Sequence, residues 1–235
     1  MILFHFDWVP YQLPKMRSNN LPGYMVFILL TACSTADNKD QPSANMVITT
    51  PTPLVLFADD FSDPSSGWNI FKSDDVIREY VDDEFRTFVD NAKNKYRYPI
   101  ASIDRTFGDV RLMVDFRRVS GIDATRAHLV CRYAAERNYV FGSIDFQGEA
   151  QIGTRLDDMQ EIVANAQDVE ITPHDMNTMR LDCIGDTISL YINGDLVVSS
   201  PVEAEAEGAV GFAAGGATDG PTDIRFDNFI VYPGD

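Results

Sequence analysis

A two-residue alternation of apolar and polar side chains is the feature that most constrains how this chain folds. It runs from Met179 to Cys183 and again from Ile188 to Ile192, so each segment has one face to bury and one to hydrate. Gly185-Asp186 separates the two segments, and Asn193-Gly194 follows the second. An Asn-Gly pair tolerates the positive φ angles of a type I′ hairpin turn. The sequence therefore predicts a three-stranded antiparallel meander over residues 179–199.

Further segments show the same alternation and are separated by glycine or polar clusters. They are Val110–Arg117, Ala127–Tyr133, Tyr139–Phe146, Ala150–Thr154, Gly208–Ala213 and Ile224–Val231. No strand pattern alternates with a helix of crossover length, which argues against a parallel α/β sheet. We therefore expect one all-β domain over residues 54–235, folded as a two-sheet antiparallel jelly-roll sandwich.

The N-terminal region contains a short apolar run from Tyr24 to Ala32, with Lys15 and Arg17 upstream. The run is roughly half as long as a membrane-spanning helix needs to be. Its order of positive flank, apolar core and small residues fits a secretory signal. The run ends in Leu30-Thr31-Ala32-Cys33, which resembles the lipobox of bacterial lipoproteins, where the cysteine thiol takes a diacylglyceryl group. An ordinary cleaved signal and a chance apolar run are the alternatives.

This resemblance implies a signal peptide over residues 1–33, with Cys33 as the lipid attachment site. The partner is then the cell membrane, and the rest of the chain lies on its extracytoplasmic face. Residues 1–15 fit no part of such a signal, so Met16 is the expected start. Residues 34–53 are rich in Ser, Thr, Asn, Asp and Pro without an apolar period, which predicts a disordered linker.

The charge of the chain argues against one class of partner. The chain contains 36 acidic and 19 basic residues, and its formal net charge is −17 at pH 7. A surface of this sign repels phosphate backbones, so we expect no nucleic-acid partner.

Several short motifs follow one another in an order that resembles a known family. The family is that of the concanavalin A-like lectin/glucanase jelly rolls, and within it the laminin-G-like modules of bacterial lipoproteins, related to 3-keto-disaccharide hydrolase domains. The motifs are Asp59-Asp60-Phe61-Ser62-Asp63-Pro64, Gly67-Trp68, Tyr191-Ile192-Asn193-Gly194, Gly208-Ala209-Val210-Gly211-Phe212 and Phe226-Asp227-Asn228-Phe229. The resemblance implies a packing role for Trp68, with a sugar-stacking platform as the alternative. The superfamily includes sugar binders, glycosidases and adhesion modules, so the fold alone does not choose among them.

Two cysteines remain once Cys33 is assigned to lipid. Cys131 shares strand parity with Leu129, and Cys183 shares it with Leu181, so both thiols are expected in the core. In an oxidising compartment such a pair favours a disulfide. Two buried free thiols are the alternative.

Calcium is the one metal for which the sequence offers candidates. Jelly rolls often pair their first and last strands, which would bring Asp59 or Asp60 near Asp227. Carboxylate and carbonyl oxygens are the ligands that calcium prefers. The same carboxylates also suit turns and backbone hydrogen bonds. No other cofactor is predicted.

No set of residues has the arrangement that catalysis requires. Only Glu203, Glu205 and Glu207 have a spacing similar to glucanase carboxylates, and they are interleaved with alanine in what we predict to be an exposed acidic loop. Neither His128 nor His174 accompanies a nucleophile elbow. We therefore predict no catalytic residues.

A binding surface is predicted on the outer side of one sheet. Strand parity points His128 and Arg132 outward, and the next strand adds Tyr139 and Phe141. We expect His128 to be solvent-exposed. An aromatic ring beside a guanidinium suits carbohydrate, although Arg132 could instead pair with an aspartate and Tyr139 could simply pack.

The function expected from the sequence is noncatalytic binding of carbohydrate or another cell-surface polymer by a membrane-anchored module. A glycoside-active enzyme of the 3-keto-disaccharide hydrolase or glucanase type is one alternative. A structural cell-envelope lipoprotein without a ligand is the other.

Overall fold

Two antiparallel sheets pack face to face in the computed structural model, which describes residues 53–90, 98–135, 138–157, 159–216 and 220–234. The predicted signal peptide, Cys33 and almost all of the linker lie outside the described residues. Within the described ranges, no helix is long and apolar enough to cross a membrane.

Nine strands of the described chain form the larger sheet, in the order β13-β12-β11-β6-β15-β4-β3-β2, with β1 paired to β15. They are β1 (Phe57–Asp59), β2 (Phe71–Lys72), β3 (Val76–Val81), β4 (Glu84–Asp90), β6 (Val110–Ser120), β11 (Asn177–Ile184), β12 (Thr187–Ile192), β13 (Asp195–Pro201) and β15 (Pro221–Pro233). The smaller sheet has the order β10-β9-β8-β7-β14-β5. Its strands are β5 (Ala101–Ser102), β7 (Arg126–Ala135), β8 (Asn138–Asp145), β9 (Ala150–Leu156), β10 (Met159–Ala166) and β14 (Ala209–Gly215).

The expected all-β sandwich is therefore confirmed, and each strand that the alternation predicts is present. The meander is formed by β11, β12 and β13, and Asn193 and Gly194 at its second turn both have positive φ angles, 52° and 94°. The first and last strands also pair, with Asp59 opposite Phe229. The alternation did not predict β1 to β5 or β10.

The core lies between the sheets, and Trp68 is one of its large aromatic residues. The indole ring is 4.7 Å from the ring of Phe212 on β14 and 4.9 Å from that of Phe229 on β15, between ring centroids. Its Nε1 donates a hydrogen bond of 2.7 Å to Asp59 Oδ2, and the residue is only 4% exposed. A buried indole N–H requires such a partner. Trp68 is thus a packing residue that touches both sheets, not a sugar platform.

A disulfide joins Cys131 on β7 to Cys183 on β11, as strand parity predicts. Both residues are fully buried, and the bond links the smaller sheet to the larger one. The loop that it closes spans a sequence separation of 52 residues.

Removal of this disulfide by the double substitution Cys131→Ala and Cys183→Ala should lower the free energy of unfolding by about 4 kcal/mol, because a loop of this length loses much of its entropy in the unfolded chain. Denaturant unfolding with and without reductant measures the effect. Reductant should destabilise the parent alone, and equal midpoints for parent and variant without reductant would contradict the expectation.

Candidate functional site

The outer faces of the two sheets differ in chemistry. On the larger sheet, several charged side chains form ion pairs. Arg86 Nη2 lies 2.7 Å from Asp223 Oδ2, and Arg117 Nη2 lies 2.7 Å from Glu84 Oε2. Arg180 lies 4.2 Å above the ring of Tyr191 and also binds the Asp182 carboxylate. Such a face is typical of a hydrated surface.

The smaller sheet carries a second apolar cluster on its outer side. The cluster is separate from the main core, and half-buried rings of Tyr98 and Tyr133 pack against it. We call this surface the aromatic face and define it by the outward residues of β7, β8 and β14: His128, Val130, Tyr139, Phe141 and Ala213. The predicted grouping of His128 with Tyr139 and Phe141 on one face is therefore present.

His128 is buried, which corrects the expectation that it is solvent-exposed. Strand parity placed it on the outer side, but its ring lies 4.1 Å from that of Tyr98 and 5.3 Å from that of Phe141. Only 3% of the residue is exposed. Burial, with a smaller contribution from the charge of Arg126, lowers the pKa of His128 to about 3. The imidazole is therefore uncharged at neutral pH.

Arg132 does not join the aromatic face, which is a second correction. Its φ is 53°, and a bulge sets Cys131 and Arg132 opposite the single residue Val210 of β14. The guanidinium instead donates to the carbonyl of Gly185, and its Nη2 lies 3.6 Å from Asp109 Oδ1. The extra residue breaks the alternation on which the prediction depended.

A different arginine lies beside the aromatic rings. Arg155 on β9 is directly opposite Tyr139 on β8, and its side chain hydrogen-bonds to the tyrosine. Arg155 is half-buried. The sequence does not single out Arg155, although its strand parity with Gln151 along β9 places both on the same face. An aromatic ring beside a guanidinium is therefore present, with Arg155 in place of Arg132.

Asp145 and Glu149, at the margin of the aromatic face, both form ion pairs with Arg126. Arg126 Nη2 lies 3.0 Å from Asp145 Oδ2 and also contacts the Glu149 carboxylate. Asp145 Oδ1 accepts the backbone N–H groups of Gln147 and Glu149. These carboxylates hold the β8–β9 turn in place.

The three carboxylates proposed for calcium differ in their surroundings. Asp59 already accepts the indole N–H of Trp68 and the backbone N–H of Phe61 at 2.7 and 2.8 Å, so it is committed to the core. Asp60 bonds to Ser62, whose hydroxyl and backbone N–H lower the pKa of that carboxyl. In the ranges described, no three acidic, histidine or cysteine side chains are arranged to hold a metal ion. The calcium prediction rests on Asp60 and Asp227 and stays a prediction.

Asp227 lies among other acids. Burial raises the pKa of its carboxyl, and the nearby carboxylates of Glu84, Asp115 and Asp60 raise it further. Its Oδ1 accepts the N–H of Asn228.

The predicted acidic loop is confirmed. Glu203, Glu205 and Glu207 are exposed and lie between β13 and β14, away from the cross-strand rows of the aromatic face. His174 is also exposed, in the loop before β11.

The comparisons with known proteins identify the fold. No family model and no curated protein matches the sequence. The chain is similar to carbohydrate-binding module CBM66 from Bacillus subtilis, with 13% identity, a TM-score of 0.55, and coverage of 71% of this chain and 95% of the module. The Bacillus licheniformis β-glucanase matches with 10% identity, a TM-score of 0.57, and coverage of 75% and 97%. The fold is concanavalin A-like.

A third solved structure agrees with this description of the concanavalin A-like sandwich. It is a Bacillus subtilis protein of unknown function with a galectin-like fold, at 12% identity and a TM-score of 0.58, with coverage of 76% of this chain and 96% of that one. At these identities the likeness establishes the fold and leaves the activity to be argued from the site.

The buried His128 should make the concanavalin A-like domain less stable in acid. The unfolded imidazole binds a proton below its ordinary pKa of about 6.5, whereas the folded one does so only near pH 3. The free energy of unfolding should therefore fall by up to about 1.4 kcal/mol per pH unit between these values.

Urea unfolding of the parent and of His128→Phe at pH 4 to 7 isolates this effect, because the variant keeps a ring between Tyr98 and Phe141 without a titrating group. His174→Phe, at an exposed position, is the matched control and should follow the parent. Parallel pH profiles for the parent and His128→Phe would contradict the assignment of His128 as buried and neutral.

Proposed function

We propose that this domain binds carbohydrate at its aromatic face without transforming it. The observation that supports this most directly is the contrast between the two outer faces. The larger sheet presents many charged side chains, several of them in ion pairs, whereas the smaller sheet presents aromatic rings with polar side chains among them. Aromatic planes combined with a few fixed hydrogen-bonding groups are the usual composition of a ligand site.

The accessible part of the site is its rim. Tyr98, Tyr133 and Arg155 are half-buried, and the two tyrosines pack against the buried cluster that contains Tyr139 and Phe141. A ring face stacks against the apolar side of a sugar, and a guanidinium donates hydrogen bonds to hydroxyl oxygens. The similarity to a carbohydrate-binding module and to a β-glucanase agrees with a sugar ligand.

Binding is favoured over hydrolysis because of how the described carboxylates are used. A glycosidase needs two carboxyl groups placed on either side of the scissile bond. Asp145 and Glu149 at the margin of the face are both bound to Arg126, and the three glutamates of the acidic loop lie elsewhere.

Substitution of Arg155 tests the site. Arg155→Ala should weaken binding to any glycan that the parent retains on an array by roughly tenfold or more, because a charge-assisted hydrogen bond is lost. Arg180→Ala is the matched control, since it removes a guanidinium beside a tyrosine ring on the opposite face. Equal losses in both variants, or no glycan bound by the parent, would refute the proposal.

We also propose that Cys33 anchors the domain on the extracytoplasmic side of a membrane. The buried disulfide agrees with an oxidising compartment, since such bonds are rare in the reducing cytosol. A lipid-modified cysteine adds about 0.8 kcal/mol of membrane affinity for each buried methylene.

Metabolic labelling with palmitate tests the anchor in cells that process bacterial lipoproteins. The parent and Ser34→Ala should incorporate label and fractionate with membranes. Cys33→Ser should do neither, because it lacks the acceptor thiol. Label in Cys33→Ser equal to that in the parent would overturn this assignment.

A further inference from the structure

A row of uncharged polar side chains crosses four adjacent strands of the smaller sheet. His128 on β7 is directly opposite Ser143 on β8, and Ser143 is opposite Gln151 on β9. Gln151 is in turn opposite Asn165 on β10. Directly opposite residues of an antiparallel pair extend their side chains from the same face. We call these four residues the polar row, and it runs beside the aromatic ring of Phe141.

The inner end of the polar row holds two polar atoms without hydrogen-bond partners. His128 Nε2 and Ser143 Oγ are both buried and unpaired, and the two residues are 3% and 0% exposed. Nearly all buried polar groups in folded proteins are hydrogen-bonded, so two unpaired polar atoms on directly opposite residues require an explanation. Their unmade hydrogen bonds make the fold less stable than an apolar pair would.

The outer end of the polar row is accessible. Gln151 is half-buried and its Nε2 donates to Glu149 Oε1 at 3.0 Å, while Asn165 is exposed. The row therefore passes from solvent into the sheet surface. It ends beneath the ring of Tyr98, which lies 4.1 Å from that of His128.

The chemistry of the row selects an uncharged ligand. None of its four side chains carries a charge at neutral pH, since burial keeps His128 neutral. A neutral imidazole, a hydroxyl and two carboxamides all both donate and accept hydrogen bonds, as sugar hydroxyls do. The net charge of −17 for the chain opposes acidic polymers.

We propose that the polar row is a track for a neutral oligosaccharide that lies across the strands. The innermost sugar ring of the oligosaccharide displaces the side chain of Tyr98 and forms hydrogen bonds with His128 Nε2 and Ser143 Oγ. Neighbouring strands are about 4.8 Å apart, so the track is about 14 Å long and matches a short oligosaccharide. The proposal rests on the proposed function and adds to it the class and direction of the ligand.

Ser143→Ala provides a test that separates a binding role from a structural one. Loss of this buried hydroxyl should raise the melting temperature by a few degrees, because the folded protein no longer buries a polar group without a hydrogen-bond partner. The same variant should bind a neutral oligosaccharide found on the array roughly five- to tenfold more weakly, because the ligand loses a partner. A gain in stability with a loss of affinity is not expected of a purely structural residue.

Three comparisons complete the test. Ser189→Ala, which removes a half-buried serine hydroxyl paired with Ser199 on the opposite sheet, should leave affinity unchanged. Asn165→Ala should weaken binding of longer neutral oligosaccharides more than that of a monosaccharide. Uronic-acid polymers on the same array should bind more weakly than neutral glycans.

The outcomes distinguish this proposal from the one on which it rests. If Arg155→Ala loses binding while Ser143→Ala and Asn165→Ala bind as the parent does, the aromatic face stands and the track is overturned. Preferential binding of uronic-acid polymers overturns the track as well. A parent that binds no glycan overturns both proposals.

Discussion

The contact of Trp68 with both sheets is the interaction on which the rest of the structure depends. Two packed sheets lie about 10 Å apart, and a large ring is needed to fill that gap at native density. The indole lies between Phe212 of the smaller sheet and Phe229 of the larger one. Its N–H reaches Asp59, the last residue of β1, and β1 in turn pairs with β15. The buried donor therefore links the ring between the sheets to the first strand.

Alternation in the sequence predicts strands that have one buried and one hydrated face, and it succeeds where that condition holds. It predicts the meander and the inward thiols of Cys131 and Cys183. It misses the hairpin of β3 and β4 because its turn is Asp82-Asp83, where both residues have positive φ without a glycine. It also misses β10, an edge strand whose side chains are mostly exposed and so show no alternation.

The sequence predicts which side chains of the candidate site share one face of the sheet, but it does not predict how deeply each of them is buried. Parity places Tyr139, Phe141 and His128 on the same side of the smaller sheet, and the structure agrees. Parity carries no information about what lies above that side. Tyr98 is distant in sequence and covers His128, so an outward residue becomes a buried neutral one. Long-range contacts of this kind leave no local periodic signal.

The bulge in β7 has a consequence for how the surface charge of this sheet can change. Because two residues lie opposite Val210, the side chain of Arg132 does not point to the outer face. Its guanidinium instead contacts the turn that contains Gly185, at the end of the sandwich. Deletion of one residue there would restore the two-residue period and shift every later side chain of β7 to the other face. The charge presented beside the rings thus depends on strand length as well as on residue type. A single-codon deletion at the bulge would therefore change the charge of this face without any change of residue type elsewhere.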